Sequence, residues 1–146
     1  SREGNDLWHE MRDSGVLHAL LGIHTARALG SHPARGGSWE GFVIDQAISA
    51  LERARPASRA YFWRTATGQE VDLLIDHGTR RVPFEIKLHT SPKREDADGV
   101  RTCMKDLKLS KGYVIHAGHE EYSLGDGITA LPAETFLGHP EKIALR

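Results

Sequence analysis

The sequence predicts an α/β fold built on a mixed sheet, and three observations predict it. Three runs with strand-like composition, 60–65, 70–75 and 81–88, follow one another across turns short enough to require an antiparallel meander. Two stretches of helical periodicity flank them, one ending before Pro56 and one opening at Ser91-Pro92. A fourth apolar run, Gly112 to His116, is reached through the second of those helices. It is therefore expected parallel to the third strand.

Taken in order, residues 1–37 read as a helical lead-in, the end of a preceding region. Trp8, Met11, Val16, Leu17, Leu20 and Leu21 recur at rough helical spacing, and Ala26 to Leu29 adds one more turn. Gly36-Gly37 breaks the chain, and 38–146 reads as the α/β domain. Ser38 is the expected cap of a helix reaching Arg53, with Trp39, Phe42, Val43, Ala47, Ala50 and Leu51 as its apolar stripe and Ile44 and Ile48 widening it. Glu40 sits in its first turn, where the helix dipole favours a carboxylate. Thr67-Gly68 and Asp76-His77-Gly78 are the turns of the meander. The helix from Ser91 should reach Leu107 with Val100, Met104 and Leu107 inward. A weaker strand near 128–131 and a short helix over 132–137 complete the reading.

Bulk composition narrows the class. The chain has 146 residues, which suits one hydrophobic core, with 39% apolar and 27% charged residues, unlike a long disordered tail. Its single cysteine, Cys103, excludes an internal disulfide framework and fits a reducing, cytoplasmic setting. No apolar run approaches the roughly 20 residues of a membrane span, and no leader is evident. The chain opens on Ser1-Arg2, which predicts a piece of a longer polypeptide. Net charge is −1, but residues 50–111 carry a balance of +4 and the rest −5. A basic patch in the middle could hold phosphates, although a solvated surface explains the charge alone equally well.

The chemistry is concentrated in two short runs, Glu70-Val71-Asp72 and Glu85-Ile86-Lys87. Alternation puts Glu85 and Lys87 on one face, opposite Phe84, Ile86 and Leu88. It likewise puts Glu70 and Asp72 opposite Val71, Leu73 and Ile75. If the strands pair, the acids and the lysine share a pocket that a cation would stabilise.

The order of helix with Glu40, hairpin with Asp72, strand with Glu85-x-Lys87, helix and strand resembles the PD-(D/E)XK nuclease superfamily. That resemblance covers about 38–117 and implies a restriction-endonuclease-like α-β-β-β-α-β core. Val71 stands where that motif's proline would be. The stretches DSGVLHALLGI, GSWEGFVIDQ, FWRTATGQEVDLLI and FEIKLHTSP are similar to a domain of unknown function found at the C-terminal end of prokaryotic AAA-type P-loop ATPases. No phosphate-loop motif occurs in this chain. The resemblance implies Mg²⁺ or Mn²⁺ held by Asp72 and Glu85 with Glu40 as a further ligand, and Lys87 as an electrostatic catalyst. It implies phosphodiester hydrolysis of DNA or RNA, and an ATPase domain of the same polypeptide as a partner. Lys93 and Arg94 are the expected contacts to a nucleic-acid backbone.

Plainer readings stand beside these. Cross-strand Glu/Lys pairs on an exposed sheet contribute only about 0.2–1 kcal/mol and need no metal. Lys93 and Arg94 could be ordinary solvated charges. His116 and His119 make a weak metal pair, and Trp8, Trp39, Phe62 and Trp63 read as packing residues. A catalytically inactive regulatory or protein-binding module of the ATPase, or a plain structural domain, would keep the same fold.

Overall fold

The computed structural model of the protein describes residues 2–3, 6–11 and 38–145. Among them the elements are β1 (Arg2–Glu3), β2 (Asp6–Met11), α1 (Trp39–Ala54), β3 (Arg59–Thr65), β4 (Glu70–Asp76) and β5 (Arg81–Lys87). A 3-10 turn (Arg94–Ala97) then leads into α2 (Asp98–Leu107), β6 (Gly112–His116), β7 (Tyr122–Gly125), β8 (Ile128–Pro132), α3 (Ala133–Gly138) and α4 (Pro140–Leu145). The eight strands form one mixed sheet in the order β1-β2-β3-β4-β5-β6-β8-β7. The meander from β1 to β5 is antiparallel, β6 joins β5 in parallel as expected, β8 joins β6 in parallel, and β7 closes the edge antiparallel.

Helices cover both faces, because both faces of the central strands are apolar. On one side Ile44 and Ile48 of α1 and Phe136 of α3 pack on Leu73, Phe84 and Ile115. On the other, Val100, Cys103 and Met104 of α2 pack on Val71, Leu74 and Val114. Ser38 caps α1 through Oγ, which accepts from the Gly41 amide at 3.0 Å. The turns follow their residue types. Gly68 and Gly78 both adopt positive φ, and the Asp76 carboxylate accepts from the Gly78 amide at 2.6 Å. No helix among the described residues is long and apolar enough to cross a membrane.

Four expectations need correction. Trp8 and Met11 lie on β2, a strand rather than a helix, paired with Trp63 and Ala60 of β3. The backbone of β3 needs a neighbour along that edge, and pairing overrides spacing. The remainder of the lead-in, Val16 to Leu29, lies outside the described residues. Phe42 is 57% exposed, because the core side of α1 is centred on Ile44 and Ile48 and a residue two positions earlier points away from it. Leu88 lies beyond the end of β5 and is also exposed. Ser91 does not start the second helix. The backbone of 89–92 is engaged across the domain, with the His89 carbonyl accepting from the Ala117 amide and the Pro92 carbonyl from the Tyr122 hydroxyl. Helical geometry waits until the 3-10 turn, whose Asp96 carboxylate accepts from the Lys93 amide at 2.7 Å. Strand β7 and helices α3 and α4 extend the C-terminal part beyond the weaker strand and the one short helix expected there.

Phe84 ties the α1 side together: it is fully buried, stacked on Tyr113 and 4.9 Å from the Phe136 ring. Phe84→Ala is expected to cost about 3–5 kcal/mol. Urea denaturation measures it, and a loss under about 1 kcal/mol would remove Phe84 from the core.

Candidate functional site

Strands β4 and β5 run as paired neighbours only as far as Leu73 opposite Phe84. Beyond that point the next donor of β5, the Ile86 amide, is taken by a side chain: it donates to Asp72 Oδ2 at 2.7 Å. The cause lies across the strand. Between Tyr61 and Trp63 of β3, β4 holds one extra residue, because Tyr61 faces Leu74 while Trp63 faces Val71. This bulge breaks the strict alternation. Val71 joins Leu74 on the α2 side, while Leu73 and Ile75 lie on the α1 side, so Val71 does not share a face with them as expected. The extra residue re-aims Asp72 at the gap where the two strands part.

Asp72 is buried, and Glu85 is partly exposed. Their carboxyl groups meet. Burial above all raises the Asp72 pKa; the contact with Glu85, the Ile86 amide and the Lys87 ammonium lower it, and Glu40 raises it. Glu85 is pushed well up from the ordinary carboxylate range, first by burial and then by the charge and hydrogen bond of Asp72, with Lys87 opposing. The facing carboxyl groups disfavour a second negative charge, so the pair takes up a proton more readily than lone carboxylates do. Asp72 Oδ1 is buried with no donor of its own. Glu70 borders the pair. Its pKa is raised by burial and by Asp72, with Arg64 across the ladder opposing.

Of the four residues expected in the site, Asp72, Glu85 and Lys87 come together. Glu40 reaches the same end of the sheet, but its carboxylate accepts from the Leu88 amide at 3.1 Å, so it acts on Asp72 through its charge. Among the described residues, no three His, Cys, Asp or Glu side chains form a ready metal-ligand set. Arg94 is 64% exposed and lies 2.9 Å from Asp126, which Arg101 also holds at 2.9 Å. Lys93 is exposed, with no ion pair among those the structure records. His116 is no ligand either: its Nδ1 accepts from the Gly118 amide, its Nε2 donates to the Glu120 carbonyl, and burial lowers its pKa.

Sequence reasoning missed Gly99. It is the second residue of α2, and a Cβ there would run into the backbone carbonyl oxygen of Glu70 and come 3.5 Å from Glu85 Oε2. Its absence lets the N-terminal turn of α2 close over the acid pair, where the helix dipole faces the carboxylates. Glycine inside a helix is unfavourable by roughly 1 kcal/mol, and that was the available signal.

Two outcomes follow. Because the folded pair binds a proton more tightly than the unfolded chain, its contribution to stability is full at acid pH. It is lost as pH rises through the raised pKa values. Asp72→Asn keeps an acceptor for Ile86 and offers an amide donor to Glu85. It should raise metal-free stability at neutral pH by about 1–3 kcal/mol and flatten that decline. Urea midpoints from pH 4 to 8, in wild type and variant, check it; parallel curves would refute the proton uptake. Gly99→Ala should displace the start of α2 and destabilise by more than about 1 kcal/mol, against the usual gain from replacing a helical glycine. A thermal melt showing a gain would refute the close approach.

Comparison with known proteins places this geometry. The family described as a domain of unknown function (DUF4143) matches residues 35–136, from the cap of α1 to α3. An uncharacterized protein of Mycobacterium tuberculosis and one of Mycobacterium bovis are each 37% identical over 127 residues, 87% of this chain. The chain spans 27% of the length of each. No solved structure matches it. With most of its length, the acid pair included, under the family match, the chain belongs to the DUF4143 domain family.

Proposed function

We propose that this domain is a nuclease-like module that hydrolyses phosphodiester bonds of DNA or RNA with Mg²⁺ or Mn²⁺. The observation that carries the reading is the meeting of Asp72 and Glu85, beside Lys87, at the gap where β4 and β5 part. Two facing carboxylates need a proton or a hard cation between them. The residues present fit the cation: the orphaned Asp72 Oδ1 and the half-buried Glu85 are hard oxygen donors. Mg²⁺ is commonly held by one or two carboxylates and otherwise by water. When bound, a divalent ion supplies positive charge to phosphate oxygens and acidifies a water. Lys87 adds a second positive charge at the same mouth, suited to the charge that develops on an attacked phosphate. The order α1, β3, β4, β5, α2, β6 supports a restriction-endonuclease-like core as the finer description of the fold.

A second reading is a non-catalytic regulatory or protein-binding module of a longer, cytoplasmic protein with an ATPase region. The engagement of Glu40 with the Leu88 amide favours it, since that leaves two carboxylates at the pair.

Mn²⁺ titration followed by thermal melting, together with cleavage of plasmid and single-stranded substrates, separates the readings. The nuclease reading expects Mn²⁺ at about 100 times its Kd to stabilise the wild type by about 2.7 kcal/mol and not Asp72→Asn. It also expects cleavage that Lys87→Ala abolishes. Metal binding without cleavage on any substrate supports the second reading, and no metal-dependent shift ends the first.

A further inference from the structure

The two ends of the sheet carry opposite charge. The acid pair lies at one end, where α2 begins. At the other end, where α2 stops and β5 starts, a cleft of ≈ 350 Å³ opens between residues 78–82 and residues 107–111. Arg80 and Arg81 line one wall, and Lys108 and Lys111 the other, with Ser110 between them. The ten residues of α2 span about 15 Å, so the cleft is separate from the acid pair.

Three features make this more than scattered surface charge. The arginines are held in place: Arg80 Nη1 donates to the Leu145 carbonyl at 2.7 Å, and Arg81 Nε lies 3.7 Å from Asp76. The lining carries four basic side chains and no acidic one, with Asp76 beside it paired to Arg81. His77, beside the cleft in the same turn, has its pKa lowered by burial, by Arg55 and by Arg80, against the opposing charge of Asp76. Finally, Lys108 adopts left-handed backbone geometry, φ 58°, at the end of α2, where glycine is the low-strain residue. A cation near a helix C-terminus complements the dipole, which accounts for Lys105 and in part for Lys108. It does not account for Arg80, in the β4–β5 turn, or for Arg81, the first residue of β5.

We infer that this basic cleft is a phosphate-binding site, taking the phosphate or pyrophosphate group of a nucleotide or the backbone of a nucleic acid. Guanidinium groups fit phosphate oxygens in paired hydrogen bonds, ammonium groups act as point charges, and the Ser110 hydroxyl can donate. A concave seat between two pairs of cations suits a compact, multiply charged group better than the broad flat face of an acidic protein. The assignment does not depend on the acid pair being catalytic.

Calorimetric titration of the full chain with pyrophosphate, with a nucleoside monophosphate and with a short single-stranded DNA tests it. Saturable binding is expected, weakened about tenfold or more by Lys108→Gly and by Lys111→Gln. Lys108→Gly relieves the left-handed residue, so its melting temperature should be no lower than that of wild type; weaker binding cannot then be ascribed to misfolding. Titration without divalent metal keeps this result distinct from the metal test above. Preference for pyrophosphate and the nucleotide identifies a nucleotide source, and preference for the DNA a backbone source. Each supports the site. Three results overturn it: no saturation with any probe, unchanged affinity in both lysine variants, or equal affinity for polyglutamate of matched charge.

Discussion

The Asp72 carboxylate stands in for a strand. At the point where β4 stops pairing with β5, Asp72 accepts the Ile86 amide that the ladder would otherwise have served. A buried amide without an acceptor is unfavourable by a few kcal/mol, and so is a buried carboxylate without a donor. Each satisfies the other on one side. That exchange lets the two strands separate without stranding the backbone, and it leaves the second oxygen of Asp72 buried without a donor. At the same gap Glu85 meets Asp72, and α2 approaches closely at Gly99.

The surrounding fold protects this arrangement by burying the strands on both faces. Leu73 and Phe84 anchor the paired part of β4 and β5 against α1, while Val71 and Leu74 anchor it against α2. The buried core continues past the point where the strands part, through Val71 and Ile86. What lies beyond it, Glu85, Lys87 and Glu70, is partly exposed and reachable from solvent. Two carboxyl groups this close disfavour a second negative charge. The same sheet delivers cations to its opposite end, because α2 runs the length of the domain from the acid pair to the cleft beside Lys108.

Much of the architecture was legible in local patterns. The apolar runs of β3 to β5, the Ser38 cap, the glycine turns and the parallel placement of β6 all follow from short-range chemistry. The edge was not legible. Trp8 and Met11 suit a helix by spacing, yet they lie on β2 because the backbone of β3 needs a partner there. Phe42 and Leu88 look like core residues by type, and both are exposed, since burial depends on which side of a helix or which end of a strand meets its neighbour. Arg94 ion-pairs with Asp126, distant in the chain, a partner that spacing does not reveal.

For the candidate site, the sequence by itself determined which residue types could do chemistry and that two short strands carry them. Period-two alternation is enough to put Glu85 beside Lys87, because that pairing lies within one strand. Only the tertiary structure decided how Asp72 faces Glu85. That contact rests on a one-residue bulge in β4, whose register is set by β3. It also rests on a helix that approaches closely because its second residue lacks a side chain. Both are relations between elements far apart in the chain, and local propensity carries no information about them.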